Sequence, residues 1–183
     1  MKQHIHIFGA SGSGTTTIAK LVSQQLGYRH FDSDNYFWLP TVEPFTAIRE
    51  QNECLEMMDK DLSENDKWVL SGSIANWGNI LIPHFDLAVF VYVPPEIRLK
   101  RLENREFERY GEEMLPGGRL YEKSQEFLLW AAKYDKGTGN GRSLERHENW
   151  LNNIDCSTLR IDNINLKKSV EAVVDAIIGK TDT

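Results

Sequence analysis

His4-Ile-His-Ile-Phe8 runs directly into Gly9-Ala-Ser-Gly-Ser-Gly-Thr-Thr16, and an apolar-periodic stretch follows from Thr15 to Leu26. The first five residues have the alternation and the Ile and Phe content of a buried strand. The stretch after the glycines places Ile18, Ala19, Leu21, Val22 and Leu26 on one helical face, and Gly27 stops it. Between strand and helix stands G-x-x-x-x-G-[K]-[ST] with one departure: Thr15 occupies the lysine position. Glycines at 9, 12 and 14 let successive backbone N–H groups converge on an anion, and the helix adds the positive end of its dipole. Strand before and helix after separate a phosphate-binding loop from a Gly/Ser-rich turn. Gly9, Ser11, Gly12, Ser13, Gly14, Thr15, Thr16 and Thr17 are therefore the candidate cofactor-binding residues.

The missing lysine is a separate matter. Its ammonium ordinarily contacts the β- and γ-phosphates, and loss of one such preorganised donor costs about 3 kcal/mol of transition-state stabilisation. Either another cation takes its place, or nucleotide is bound with little catalysis. Lys20 lies too far along the helix, and the later arginines are better placed.

Downstream, short apolar runs alternate with helical patterns, which reads as α/β with a mainly parallel sheet. Strands are expected at Tyr28–Asp32, Trp68–Ser71, Leu87–Val93 and Ser157–Ile161, and helices over Ala47–Leu62, Glu96–Glu108, Tyr121–Tyr134, Ser143–Asn152 and Leu166–Ile178. Ile48, Leu55, Met58 and Leu62 are available for burial, and Pro95 is placed to open a helix. Residues 109–141 fit a plain βα unit least and are read as an insertion or helical lid within one domain spanning 1–183.

Two carboxylates follow the second strand, in Phe31-Asp-Ser-Asp-Asn35, at the rim where α/β sheets bind ligands. One could serve Mg²⁺ together with Thr16 while the other accepts a proton from an attacking hydroxyl; the competing reading is an Asx turn. The third strand ends in Ser71-Gly72-Ser73, with no acid where many phosphate-loop proteins carry one, which shifts the metal carboxylate to Asp32 or Asp34. The expected metal pair is Thr16 and Asp32; Asp32 and Asp34 are substrate-binding candidates, and Asp34 is also a catalytic one. Tyr36, Phe37, Trp38 and Trp77 could stack on a base, although core packing is the commoner fate.

Cations are sparse through residue 94 and dense from Arg98 to Arg146. Arg98, Arg101, Arg105 and Arg109 recur at helical spacing, interleaved with Glu103, Glu106 and Glu108, so a solvated ion-paired face competes with a phosphate-facing one. Arg101 and Arg105 are the catalytic candidates from this row. Arg119, after Pro116-Gly-Gly118, and Arg142 are candidate substrate-binding cations, and Arg142, Arg146 and His147 form a second basic group.

The 183 residues are 40% apolar with five tryptophans, ample for one core, and the net charge of −6 argues against general nucleic-acid binding. Cys54 and Cys156 stand alone, as expected in a reducing compartment. No apolar run approaches the ~20 residues that cross a bilayer. The N-terminus lacks the pattern of a signal peptide, so a cytoplasmic protein is expected.

Taken together, the phosphate loop, Asp32-x-Asp34, Ser71-Gly-Ser73, and Val93-Pro94-Pro95 leading into Glu96-Ile-Arg-Leu-Lys-Arg-Leu-Glu-Asn-Arg105 resemble the adenylate-kinase-related P-loop kinases, a group that includes shikimate and gluconate kinases. Within it the chain is similar to a bacterial branch with Gly-Ser-Gly-Thr-Thr in the loop and Leu-Pro-Gly-Gly in the lid. The resemblance implies a P-loop NTPase fold, a five-stranded parallel sheet of order 2-3-1-4-5, and ATP with Mg²⁺ as phosphoryl donor. It implies phosphate contacts from Gly12 to Thr17, acceptor or metal contact at Asp34, and contact of Arg101 and Arg105 with the transferring group. Two functions follow as expectations: an ATP-dependent small-molecule kinase acting on a nucleotide, nucleoside or other metabolite, or a nucleotide-binding module without transfer, with a sensing or partner-binding role.

Overall fold

A computed structural model describes residues 1–75, 77–137 and 141–180. Five strands, β1 (His4–Gly9), β2 (Arg29–Asp32), β3 (Trp68–Ser71), β4 (Leu87–Tyr92) and β5 (Ser157–Asp162), form one sheet in the order β2-β3-β1-β4-β5. Every neighbouring pair is parallel, with Ile7 opposite Ser71 and Val89, and Asp32 opposite Ser71. The order and the all-parallel pairing agree with expectation.

Strand alternation explains the two layers of core. On one face Ile5 and Ile7 of β1, Val69 of β3, and Leu87, Val89 and Val91 of β4 pack on helix α1 (Thr15–Leu26) and helix α7 (Leu166–Ile178), through Ile18, Val22, Val173 and Ile177. On the other, Phe8, Trp68, Leu70 and Phe90 meet α3 (Gln51–Ser63) and α6 (Leu144–Asn152), through Met58, Leu62, Trp150 and Leu151. Adjacent residues of a strand point to opposite faces, so near-continuous apolar runs are needed where helices cover both.

The remaining helices gather at the C-terminal ends of the strands. Helix α2 (Ser33–Phe37), which the sequence reading did not include among its helices, follows β2 at once. The Asp32 side chain caps it by accepting a hydrogen bond from the Asp34 backbone N–H at 3.1 Å. Helix α4 (Pro95–Tyr110) opens on Pro95 as expected, and α5 (Tyr121–Ala132) is flanked by 3₁₀ turns at Gly111–Met114 and Lys133–Asp135. The part of the expected lid at residues 138–140 lies outside the described residues.

Two expectations about burial and extent need correction. Helix α3 starts at Gln51, not Ala47, because Ile48 pairs with Trp38 in an antiparallel bridge and Glu50 caps the helix by accepting from the Asn52 and Glu53 amides. Ile48 is consequently exposed, as is Leu21 on α1.

Candidate active site

Ala10–Gly14 turns between β1 and α1 with Gly12 at φ 83° and Gly14 at φ 88°, left-handed conformations costly for any other residue. A side chain at Gly12 would also strike the Arg98 carbonyl at 2.6 Å, so the loop lies directly against α4. Helix α1 has no side-chain cap and no acid in its first turn, whereas α2, α3, α6 and α7 are each capped by a side chain. The positive end of its dipole is left for an anion. Ser13 is fully buried: its backbone carbonyl accepts from Asn163 Nδ2 at 2.8 Å, and its Oγ packs over Gly9 without a hydrogen-bond partner. Ser11, Thr15 and Thr16 are half-buried and Thr17 is exposed.

At the loop's far end the Thr16 hydroxyl donates to Asp32 Oδ2 at 2.9 Å. Both oxygens of Asp32 are thus assigned, one to Thr16 and one to the start of α2. Gly72, at φ 93°, makes the close packing possible, since a Cβ there would meet Ser33 Oγ at 2.1 Å. Hydroxyl and carboxylate are hard oxygen donors, and a Mg²⁺ that takes its other ligands from phosphate and water fits this pair. Asp34 stands beside it, open to solvent on one side, with its carboxyl pKa raised by desolvation first and then by Asp32, against the opposing pull of Arg142 and Arg105. Such a shift suits a group that takes up a proton during reaction.

The arginines divide sharply. Arg105 leans its guanidinium over Phe127 at 5.8 Å and shares the field of Asp34. Arg142 lies over Trp130 at 5.9 Å and lines a crevice with Ser11, Trp130, Ala131 and Tyr134. Arg101 donates instead to the Asn163 backbone carbonyl at 2.7 Å, on the flank of the phosphate loop next to β5. Arg119 is exposed and paired with Glu43 and Glu113, with Lys123 3.7 Å from Glu43. Arg109 packs over Phe45 at 5.0 Å, and Phe45 meets Trp38 edge-on. The loop after α2 and the segment before α5 therefore meet across the cleft mouth. The structure brings together the loop, Thr16, Asp32, Asp34, Arg105 and Arg142, but gives Arg101 and Arg119 protein partners.

His147 is not part of a basic group. It is buried, with Nε2 2.8 Å from Ser73 Oγ and Nδ1 2.8 Å from the Tyr134 hydroxyl. Burial, helped by Arg142 and His6, lowers its pKa to about 3, so the ring is neutral. This chain of polar groups from the end of β3 to the end of α5 was missed, as was the aromatic face of α5. Phe127 and Trp130 on α5 and Tyr134 in the turn after it recur at spacings of three and four, a stripe that could have marked which side turns to the loop.

The strand order and the glycine turn after β1 define a P-loop architecture, and comparison with known proteins agrees. Residues 5–126 match the AAA_18 family, an AAA domain. The chain is 46% identical over 176 residues to the uncharacterized protein YqaC of Bacillus subtilis (strain 168), covering 96% of this chain and 97% of that one. It is 32% identical over 113 residues to the cytidylate kinase of Archaeoglobus fulgidus, a stretch covering 56% of this chain and 61% of the relative. Among solved structures, a shikimate kinase from Acinetobacter baumannii in complex with shikimate superposes with TM-score 0.59 at 15% identity, over 99% of this chain and 96% of that one. A gluconokinase from Sinorhizobium meliloti 1021 superposes with TM-score 0.54 at 15% identity, over 97% and 92%. The structural likenesses speak to the fold. The chain belongs to the AAA_18 family, whose model spans two thirds of it, and it carries the P-loop fold.

Among the described residues no helix is long and apolar enough to cross a membrane.

Proposed function

We propose that the protein is an ATP-dependent small-molecule kinase that transfers the γ-phosphoryl group of Mg-ATP to a nucleoside, nucleotide or other small metabolite. The observation that carries this reading is the Thr16–Asp32 contact at the end of an uncapped phosphate loop, with Asp34 beside it under the opposed influence of Asp32 and two arginines. The amides of residues 9–17 bind the polyphosphate, and Thr16 and Asp32 hold the metal, which neutralises charge on the phosphates. Asp34 accepts the proton of an attacking hydroxyl, and Arg105 faces the charge that develops on the transferring group. The segment between α4 and α6 acts as the lid, and Phe45, Arg109 and Arg119 close the mouth where it meets the loop after α2. A cytidylate kinase among the relatives keeps nucleoside monophosphates on the panel of acceptors, beside hydroxyl acceptors.

Thr15 favours a second reading, a nucleotide-binding module that transfers nothing. The test is phosphoryl transfer from γ-labelled ATP, with Mg²⁺, to a panel of nucleosides, nucleoside monophosphates, sugars and hydroxy acids. Transfer that Asp34→Asn abolishes supports the kinase. Tight Mg-ATP binding without any acceptor supports the module, and unchanged turnover in Asp34→Asn removes Asp34 from the chemistry.

A further inference from the structure

The phosphate loop lacks its lysine, and the cations around it are not equally available. Arg98 is fully buried and committed to Asp135 and to the Ala131 carbonyl. Arg101 is committed to the Asn163 carbonyl, and Arg119 to Glu43 and Glu113. Arg105 and Arg109 both reach toward Glu106, at 3.9 and 3.6 Å. Lys20 is exposed on the β2 side of α1, where its charge acts on His30.

Arg142 is different. Among the described residues its guanidinium has neither an ion pair within 4.0 Å nor a hydrogen bond, although it is half-buried and carries five donors. Trp130 supports it from one side, and Tyr134 and Ser11 complete the crevice around it. Half-buried against Trp130, the guanidinium keeps its donors turned to solvent, available to an anion that enters the cleft. Two neighbours place it at the loop: Ser11, which borders the same crevice, is part of the phosphate loop, and Asp34 is the carboxylate whose charge Arg142 feels.

Building on the proposed nucleotide-binding role, we infer that Arg142 takes over the work of the absent lysine, its guanidinium contacting the terminal phosphates of the triphosphate in the loop. Threonine at 15 then has a reason beyond tolerance. A lysine there would send its ammonium from the start of α1 into the space the guanidinium needs, and two cations would contend for one set of oxygens. Arginine also suits the position, since its planar fork pairs with two phosphate oxygens at once and stacks on an aromatic face.

The test is calorimetric titration of ATP and ADP, with Mg²⁺, into wild type, Arg142→Ala, Arg142→Met, Thr15→Lys, and Thr15→Lys combined with Arg142→Ala. Thermal unfolding checks each variant, and Arg142→Met keeps the apolar contact with Trp130. Removing Arg142 should weaken ATP at least tenfold and ADP much less. Thr15→Lys alone should bring no gain, yet in the Arg142→Ala background it should restore most of the lost ATP affinity. Folded Arg142→Met and Arg142→Ala proteins that bind ATP like wild type would overturn this role while leaving nucleotide binding intact. A lysine that strengthens ATP equally in both backgrounds would overturn it too. A wild type that binds neither nucleotide would sink the functional reading itself, and this inference with it.

Discussion

The hydroxyl of Thr16 donates to the carboxylate of Asp32 across 2.9 Å, which joins the first turn of α1 to the end of β2 at the place where a metal-nucleotide would sit. The contact is informative because Asp32 has a second duty, capping α2 through the Asp34 amide. Asparagine caps a helix about as well as aspartate. Asp32→Asn should therefore fold like wild type but bind Mg-ATP on the order of 10- to 100-fold more weakly, the usual effect of losing a group that supports a metal. Titrating Mg²⁺ against a fixed ATP concentration in a calorimeter checks this. A variant that retains the full metal dependence would remove Asp32 from the site.

Arg98 and Asp135 form a pair of another kind. Arg98 is fully buried on α4, under the Tyr134 ring at 5.1 Å, and binds α5 through the Ala131 carbonyl at 2.8 Å. Among the described residues Arg98 Nε and Asp135 Oδ1 find no partner, so within them the pair is incompletely satisfied. Asp135→Asn should cost about 3 kcal/mol, because the guanidinium is left buried without its counter-charge. In a domain of this size that lowers the thermal midpoint by roughly 10 °C. Arg98→Met combined with Asp135→Leu should recover much of the loss, since neither charge then remains to be solvated. Calorimetric melting of the three proteins decides it.

The sheet was readable because its signals are local: runs such as Leu87-Ala-Val-Phe-Val-Tyr-Val93 have one sensible place in an α/β fold. The glycine turn after β1 and the position of Asp32 and Asp34 at the end of β2 were readable for the same reason, since these residues lie within a few positions of a strand end. The arginines were not. Arg101 and Arg105 share a helix and a spacing, yet one meets Asn163 of the loop after β5 and the other faces Asp34. That choice depends on the azimuth of α4 against partners 60 or more residues away, which no local pattern encodes. His147 shows the same gap: beside Arg146 it looks basic, but α6 turns it inward to Ser73 and Tyr134, where it is neutral.

Arg119 offers a contrast with Arg98. Its carboxylate partners Glu43 and Glu113 are exposed, and the pairing lowers the Glu43 pKa chiefly through that hydrogen-bonded contact. Charges in water gain little from pairing and are screened by salt. Arg119→Ala should therefore leave the thermal midpoint within error of wild type at both about 50 and about 500 mM NaCl, roughly a decade of ionic strength around the physiological range. A large drop confined to low salt would show that the cleft mouth contributes to the stability of the whole domain.

Acid should destabilise the protein well before its carboxylates titrate. His6 is fully buried between the Phe8 and Phe85 rings, and burial lowers its pKa to about 4 against the opposing hydrogen bond to the Gly72 carbonyl; for His147 the value is about 3. Both are depressed below the ordinary histidine value of 6.5, so the unfolded chain takes up protons first as pH falls. Stability is then complete above pH ~6.5 and declines down to the folded values near 3 to 4. Between pH 7 and pH 5 each histidine should cost about 2 kcal/mol, and half-buried His30 shifts in the same direction. Urea unfolding at the two pH values measures the difference, and His147→Gln should remove about 2 kcal/mol of it by deleting one of the proton sites. An unchanged pH dependence in that variant would mean that His147 is charged in the folded protein, contrary to its place between Ser73 and Tyr134.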